Sequence, residues 1–236
     1  MGKQHIVFLT GAGISVESGL STFRGKDGMW TNEEWAYLAS TDALHNDTQR
    51  CLNFYNFRRK HLAEVEPNEA HRLIAELEKE HEVTIITQNV DNLHERAGST
   101  RVIHLHGELS KVCSMRNRTK CVKEYPLTTP IKVGDKAEDG AQLRPYIVMF
   151  GEYIDGMDLA QHFVKSADVF VVVGTSLKVY PAAGLIEYAH REIPKFVIDP
   201  GEMDQCVELG FTHIKTTATD GMKMLIEAFD NLMAEH

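Results

Sequence analysis

The sequence predicts an α/β protein with a doubly wound parallel sheet and a smaller insert domain. Short apolar runs recur along its 236 residues, and most are continuous rather than alternating, as is typical of strands covered on both faces. Segments with helical spacing separate these runs, and strands that alternate with helices imply right-handed βαβ units. The predicted strands are Ile6–Leu9, Val83–Ile86, Tyr146–Met149, Val169–Val173 and Phe196–Ile198.

The first predicted strand is followed by a glycine pair, Gly11 and Gly13. Glycines after a strand allow a tight turn and a close approach to a ligand, and the N–H groups of the next helical turn can face a phosphate. The Rossmann-type dinucleotide fingerprint needs a third glycine, but this chain has Val16 or Ser18 there, so a simple dehydrogenase fits poorly. A bare glycine pair fits an ordinary strand-to-helix turn equally well. Residues 21–25 add an aromatic ring and a cation, which favours a lid over a bound nucleotide.

Three helices are predicted among the strands. Asn68 is a candidate N-cap for the first, Pro181 begins the second, which runs to about His190, and the third carries an apolar stripe. In a doubly wound sheet, ligands bind at the carboxyl ends of the strands. The apolar positions are Ala70, Leu73, Ile74 and Leu77 in the first helix and Met222, Leu225, Ile226, Phe229 and Met233 in the third.

Two segments interrupt this alternation and predict the smaller domain. The first, Gly25–Glu66, includes a long helix over Asp47–Val65, and the second, at 110–144, is polar with a turn at Gly134–Asp135. Within one domain spanning 1–236, we expect a Rossmann-type large subdomain at about 1–24, 67–109 and 145–236. The small subdomain is expected at about 25–66 and 110–144.

Composition narrows the class of protein. The apolar fraction of 43% suits a substantial core, and no apolar run approaches the ~20 residues that span a bilayer. The net charge of −9 argues against non-specific nucleic-acid binding but not against a lysine-bearing substrate. The N-terminus lacks a secretory signal, so we expect a cytoplasmic protein without a membrane partner. The sequence leaves the oligomeric state open, with a monomer as one option.

Polar side chains follow several predicted strands. His106 follows the apolar run Val102–Leu105, and an imidazole with a pKa near ~6.5 can accept a proton at neutral pH. With twelve histidines in the chain, one of them can also flank a strand by chance. We expect the neighbouring His104 to have a structural role. The remaining polar or small residues suit a carboxamide, ribose hydroxyls or phosphate, although Asn and Asp also form ordinary turns. They are Gln88, Asn89, Asp91, Gly174, Thr175, Ser176 and Asp199.

Four motifs together resemble the sirtuins, the NAD-dependent protein deacylases, in their bacterial, CobB-like form. They occur in the family's order and, taken together, the resemblance covers nearly the whole chain except residues 111–142. The motifs are GAGISVESGLSTFRGKDGMW at 11–30, TQNVDNLHERAG at Thr87–Gly98, HLHGEL at His104–Leu109 and VVVGTSLKVYPAAG at Val171–Gly184.

The resemblance implies NAD as cofactor and assigns roles to residues of this chain. His106 corresponds to the catalytic base. Asp199 stands where the family usually has Asn, and Met149 where it more often has Trp. The implied NAD contacts are Gly11, Ala12, Gly13, Ile14, Ser15, Phe23, Arg24, Gln88, Asn89, Asp91, Gly174, Thr175, Ser176, Asp199 and Ala218. The implied substrate contacts are Val148, Met149, Phe150, Gly151 and Val179, with the first four pairing with an extended peptide.

The implied reaction transfers an acyl group from a protein lysine to NAD. Nicotinamide departs, the acyl-lysine oxygen attacks the sugar, and His106 deprotonates a ribose hydroxyl. The products are free lysine, nicotinamide and O-acyl-ADP-ribose. Two alternatives use the same pocket: an ADP-ribosyltransferase or NAD hydrolase, and a module that binds NAD or ADP-ribose without turnover.

The family's structural zinc site is degenerate in this chain. Cys113 keeps the first ligand position of two CxxC pairs, but the other expected positions hold Arg116, Lys136 and Asp139. Four soft ligands cannot be assembled locally. We therefore expect no metal, and a region held by packing and hydrogen bonds.

Tyr55 and Arg58 are three residues apart and share a face of the predicted helix Asp47–Val65. A phenol beside a guanidinium can bind a carboxylate, although a solvated basic helix surface has the same pattern. The pair resembles that of class III sirtuins, which implies activity on succinyl- and malonyl-lysine with some deacetylation.

Overall fold

A six-stranded parallel sheet forms the centre of the protein. The structure is a computed structural model that describes residues 3–22 and 33–234. The strand order is β3-β2-β1-β7-β8-β9, so the chain moves outward in one direction from β1 and later in the other from β7. The strands of this sheet are β1 His5–Thr10, β2 Glu82–Thr87, β3 Val102–His104, β7 Val169–Val173, β8 Lys195–Ile198 and β9 Thr212–Ile214.

The order reverses between β1 and β7, which are neighbours: Thr10 pairs with Val173 on one side and with Thr87 of β2 on the other. Loops that leave these two strands diverge to opposite sides and open a crevice at their carboxyl ends. The prediction of a doubly wound α/β fold is confirmed.

Helices pack on both faces of this sheet, α4 Glu69–Leu77 and α8 Ala218–Ala234 on one face and α6 Met157–Lys165 and α7 Asp204–Glu208 on the other. The other helices pack in a separate cluster; they are α1 Glu33–Leu38, α2 Thr41–Asn46, α3 Thr48–Glu64 and α5 Leu93–Ala97. Two 3-10 helices span Ala12–Ser18 and Ala182–Tyr188, so the predicted helix at 181–190 is shorter and more tightly wound than expected. Across the described residues, every helix is too short or too polar to cross a lipid bilayer.

Alternate residues of β1 enter two different cores, which explains its continuous apolar run. Val7 and Leu9 pack in a cluster that includes residues of α6, whereas Ile6 and Phe8 pack in a cluster with residues of α4 and α8. All four side chains are fully buried. A strand covered on both faces has no polar side to expose.

A second sheet lies outside the parallel one. It has three antiparallel strands in the order β5-β4-β6, with β4 at Gly107–Ser114, β5 at Lys123–Glu124 and β6 at Leu143–Ile147. The predicted strand Tyr146–Met149 is therefore wrong in its bounds and in the sheet to which it belongs. The strand ends at Ile147 and pairs antiparallel with β4. This strand reads LRPYI and is mostly buried, but its arginine and proline are uncommon in buried strands, so the sequence did not single it out.

The buried Arg59 of α3 organises the region after β4. Its guanidinium donates four hydrogen bonds to backbone carbonyls, at 3.0 Å to Leu109, 2.9 Å to Thr129, 3.1 Å to Tyr125 and 2.7 Å to Pro126. Burial lowers the pKa of Arg59, and the neighbouring Tyr125 opposes that shift. A buried arginine is stable only when its donors are satisfied, and here carbonyl oxygens satisfy them.

Two of the positions where the family has zinc ligands, Arg116 and Asp139, take part in hydrogen bonds in this chain. The Ser114 hydroxyl donates to the Asp139 carboxylate at 2.6 Å, and the Arg116 guanidinium donates to the Asp139 carbonyl at 3.3 Å. Cys113 is fully buried, and burial raises the pKa of its thiol to about 11. These contacts support the expectation of a metal-free region, which stays a prediction.

Candidate functional site

A cleft of about 1030 Å³ opens at the carboxyl ends of β1 and β7 and extends toward the second sheet. Most residues singled out in the sequence line it. They are Gly11, Ala12, Gly13, Tyr55, Arg58, Gln88, Asn89, His106, Val148, Met149, Phe150, Gly151, Gly174, Thr175, Ser176, Val179, Asp199 and Ala218. Ile14, Ser15 and Asp91 lie behind this wall, and Phe23 and Arg24 lie outside the described residues.

We call residues 11–18 the glycine loop. Its Gly13 N–H donates to the Gly174 carbonyl at 2.8 Å, and a Cβ on Gly13 would lie 2.6 Å from the Gly174 Cα. Gly174 itself has a φ of +62°, and its own Cβ would meet the Ile14 nitrogen at 2.3 Å. The glycines are therefore needed for contact between two loops of the protein, a reason that differs from the approach to a ligand expected from the sequence.

Asn89 connects the glycine loop to the end of β2. Its amide nitrogen donates to the Gly11 carbonyl at 3.1 Å and to the Ser15 hydroxyl at 3.3 Å, and that hydroxyl donates to Asp91 at 3.0 Å. The Asn89 Oδ1 atom is buried and has no partner within the described part of the chain. Because buried acceptors are normally satisfied, this oxygen is suited to accept an N–H from a bound carboxamide.

Burial raises the pKa of Asp91, while hydrogen bonds from the Leu93 N–H and the Ser15 hydroxyl oppose that shift. Asp91 does not reach the cleft surface. Its geometry suits a residue that orients Ser15 and Asn89 rather than one that contacts a ligand directly.

His106 is held in one tautomer by the backbone. Its Nδ1 lies 2.8 Å from the Gln88 carbonyl oxygen, which can only accept a hydrogen bond, so Nδ1 carries the proton. The Nε2 atom is then left with a lone pair. Burial lowers the pKa of His106, and the bond to Gln88 opposes that shift, so the ring is neutral at pH 7. A neutral imidazole with a fixed lone pair can act as a general base.

His104 faces away from this chemistry. Its Nδ1 lies 3.2 Å from the Asn89 carbonyl and its Nε2 lies 2.7 Å from the Glu95 carboxylate, so both nitrogens face acceptors. Burial opposes protonation, but the hydrogen bond to Glu95 and the negative charges of Glu95 and Glu108 together outweigh it, so the pKa of His104 is raised. This geometry supports a structural role, in which His104 holds the backbone beside Asn89.

Tyr55 and Arg58 lie on the wall of the cleft formed by α3. The Arg58 guanidinium carbon lies 5.7 Å from the ring centroids of both Phe54 and Tyr55. Burial lowers the pKa of Arg58, and Tyr55 and Asp91 oppose that shift, whereas burial raises the pKa of the Tyr55 phenol. The pair thus places a partly buried cation beside a neutral hydroxyl at the cleft. The alternative interpretation of this pattern, a solvated basic helix surface, does not fit because Tyr55 is buried and Arg58 is only partly exposed.

The segment Val148–Gly151 is tied to its neighbours by backbone hydrogen bonds. The N–H of Val148 donates to the His106 carbonyl at 2.9 Å, and Phe150 exchanges bonds with Ala39 and Thr41 at 2.9 and 3.0 Å. The Met149 N–H donates to Glu152 at 2.8 Å. A peptide that pairs with this segment must therefore use the Gly151 N–H or carbonyl oxygens.

A buried ion pair supports this segment from beneath, and sequence reasoning missed it. Arg144 donates two hydrogen bonds to Glu152, both at 2.8 Å, and a third to the Ile147 carbonyl at 2.6 Å. Burial disfavours the ionised form of Glu152, but the hydrogen bonds and charge of Arg144 hold the pKa of Glu152 below its usual range. An arginine and a glutamate eight positions apart across a strand end carry no recognisable spacing, so no sequence signal indicated the pair.

The cleft also has a lobe that the sequence did not indicate. It is lined by aromatic and apolar residues with polar residues at the edge, and Tyr153 and Tyr180 are both exposed. The lobe continues from the substrate segment toward α6. Its residues are Tyr153, Ile154, Met157, Asp158, Gln161 and Tyr180.

Comparison with known proteins identifies relatives over nearly the full chain. The model of the Sir2 family matches residues 11–181. An NAD-dependent protein deacylase of Bacteroides thetaiotaomicron is 48% identical over 225 residues, covering 94% of this chain and 96% of that protein. One from Helicobacter pylori is 44% identical over 223 residues, covering 94% and 96%. A crystal structure of a Sir2 homologue in complex with NAD superimposes with a TM-score of 0.84 at 37% identity, covering 97% of this chain and 90% of that one.

Proposed function

Because the chain belongs to the Sir2 family, we propose that its cleft binds NAD beside an acylated protein lysine and that it removes succinyl and malonyl groups, with some deacetylation. The protein is an NAD-dependent protein deacylase. What we propose is which residues of this chain bind NAD, which residue acts as the base and which acyl groups the cleft accepts. The observation that carries the acyl preference is the partly buried Arg58 beside Tyr55 on the wall of the cleft.

The described residues fit NAD. The buried Asn89 Oδ1 lacks a protein partner and suits a carboxamide N–H. The glycine loop and Gly174 present backbone at the wall of a cleft large enough for a dinucleotide. When bound, NAD supplies the sugar carbon that receives the acyl oxygen. The residues proposed to contact it are Gly11, Ala12, Gly13, Gln88, Asn89, Gly174, Thr175, Ser176, Asp199 and Ala218, with Phe23 and Arg24 from the sequence. Ile14, Ser15 and Asp91 are proposed to position these residues from behind the wall.

We assign the general base to His106. Its Nε2 atom accepts a proton from a hydroxyl group in the cleft, while Nδ1 stays bonded to Gln88. The backbone bond keeps the ring from rotating, so the lone pair stays directed and no reorganisation precedes proton transfer. Gln88 is itself fixed, since its side chain donates to Thr175 at 3.0 Å and its N–H donates to the Thr10 carbonyl at 2.9 Å.

Arg58 and Tyr55 select the acyl group. A succinyl or malonyl group ends in a carboxylate, which a guanidinium binds through charge-assisted hydrogen bonds and a phenol through one further donor. In a partly buried position such bonds are stronger than in water. Val148, Met149, Phe150, Gly151 and Val179 are proposed to hold the substrate backbone and the aliphatic part of the lysine.

The test is a panel of peptides of one sequence that carry acetyl-, malonyl-, succinyl- or longer-chain acyl-lysine, each incubated with NAD and read by mass spectrometry. We expect nicotinamide release and O-acyl-ADP-ribose from the malonyl and succinyl peptides, and slower turnover of the acetyl peptide. A wild-type enzyme that deacetylates but leaves both acidic acyl groups in place would contradict the proposed preference.

A further inference from the structure

Asn68 connects α4 to the glycine loop through the two ends of one side-chain amide. Its oxygen accepts hydrogen bonds from the N–H groups of Ala70 at 3.0 Å and His71 at 3.4 Å, as an N-cap does, and faces His71 Nδ1 at 3.0 Å. Its nitrogen points the other way and donates to the Ile14 carbonyl at 2.7 Å. Capping needs only the oxygen, and Asp or Ser caps a helix about as well as Asn. The bond to Ile14 is therefore an additional use of this residue.

Ile14 is a sensitive point of the loop. Its side chain is fully buried, its nitrogen lies against Gly174, and the next residue, Ser15, bonds to Asp91 and Asn89. A shift of the Ile14 carbonyl would move the contact with Gly174 and the hydroxyl that orients Asn89. Asn68 itself does not line the cleft.

We propose that Asn68 is a positioning residue for NAD: its amide nitrogen holds the glycine loop in the shape that binds the cofactor, while its oxygen begins α4. The inference rests on the proposed assignment of Gly11–Ser15 to NAD. Other bonds also hold the loop: Asn89 donates to Gly11 and Ser15, and at the far end Glu17 accepts from the Thr219 N–H at 2.9 Å. The bond from Asn68 is the one that fixes the Ile14 carbonyl.

The variant Asn68→Asp separates the two uses. It keeps the capping oxygen but replaces the donor with a carboxylate oxygen that faces the Ile14 carbonyl, so a bond becomes a repulsion. We expect KM for NAD to rise about five- to thirty-fold, somewhat more than one lost hydrogen bond accounts for. At saturating NAD, kcat and KM for the acyl peptide should stay within about twofold, and the rise in Tm on adding NAD should shrink.

The control is Leu73→Ala, which removes apolar packing from the same helix but leaves the Asn68 amide and its bond to Ile14 in place. It should lower Tm and leave KM for NAD unchanged. An Asn68→Asp enzyme whose KM for NAD stays within twofold of the wild type would overturn the inference, as would a Leu73→Ala enzyme with an equal rise. If Asn68→Asp does not fold, Asn68→Ser is judged by the same KM criterion. A wild-type protein that fails to bind NAD through this loop would contradict the proposed function instead.

Discussion

The His106 Nδ1 atom lies 2.8 Å from the Gln88 carbonyl oxygen, and this bond leaves the lone pair of the ring on Nε2. Replacement of His106 with Ala removes the proton acceptor but leaves the glycine loop and Asn89 in place. We expect turnover to fall by about two orders of magnitude or more, while NAD binding persists. Steady-state kinetics and calorimetric titration with NAD measure the two effects. Turnover at the wild-type rate would rule out His106 as the base.

The pH profile should report the same residue. A histidine accepts a proton only when it is neutral, and burial places the pKa of His106, the proposed base, below the usual value of 6.5. Activity is therefore lost as pH falls through this lowered pKa, and the acidic limb of kcat/KM should lie below pH 6.5. A limb centred above pH 7 would mean that the ring is stabilised as a cation, contrary to its surroundings. The profile is measured with a neutral acyl group, so that the substrate does not titrate.

The variant Arg58→Met tests the proposed role of Arg58 in selecting the acyl group. It should slow desuccinylation roughly ten- to a hundred-fold, because a hydrogen bond to a charged group is worth about 1.5–3 kcal/mol, and it should spare deacetylation. Lys60→Met is the matched control, since Lys60 is an exposed cation on the same helix and does not line the cleft. Equal loss of both activities in Arg58→Met would assign the residue to the fold instead of to specificity.

Two buried histidines behind the glycine loop should make the protein acid-sensitive. Burial lowers the pKa of His71 to about 4 and that of His94 well below 6.5. The unfolded chain protonates these rings near pH 6.5 and the folded one does not, so stability is highest above that value and falls as pH drops toward 4. For His71 alone the loss is on the order of 3 kcal/mol.

Urea unfolding at pH 7, 6 and 5 measures this dependence. The variant His71→Gln should have a shallower decline than the wild type, by up to about 1.4 kcal/mol per pH unit. The exposed His45 provides the control substitution, His45→Gln. Parallel declines in all three proteins would place the acid sensitivity elsewhere.

The purified protein should be folded and active without zinc. Hydrogen bonds from Arg59 and between Ser114 and Asp139 hold the region after β4 together. Because these bonds need no metal, treatment with a chelator should change neither Tm nor activity. Elemental analysis and unfolding with and without a chelator test this. One zinc per chain together with a lower Tm in chelator would disprove it. As a positive control, Arg59→Met should lower Tm, because four carbonyls lose their donor.

The parallel sheet and its cleft could be predicted because local patterns specify them. Val169–Val173 is buried on both faces and therefore apolar throughout, and Asn68 caps α4 as its position indicated. The residues of the cleft were located through the family motifs, since Asn89 and His106 alone fit an ordinary turn and strand end.

The second sheet could not be predicted because its order depends on distant contacts. The strand β4 is interrupted by a bulge between Glu108 and Val112, so its burial does not alternate regularly. Arg144 and Arg59 resemble solvated cations in the sequence, yet both are almost fully buried. Their partners are a carboxylate and carbonyl groups from other segments, and neither propensity nor spacing encodes such pairs.

The hydrogen bonds that Arg59 makes in the region after β4 do not depend on sulfur chemistry. A zinc centre built from thiolates is lost when its sulfur atoms are oxidised, because sulfenic acids and disulfides no longer bind the ion. The centre formed by Arg59 and four carbonyl oxygens contains no sulfur. The helix α3 carries Arg59 and also Arg58, which lies on the wall of the cleft, so the hydrogen-bonded centre and that wall share one element. An oxidant therefore cannot remove these organising contacts in the way that it releases zinc from thiolates.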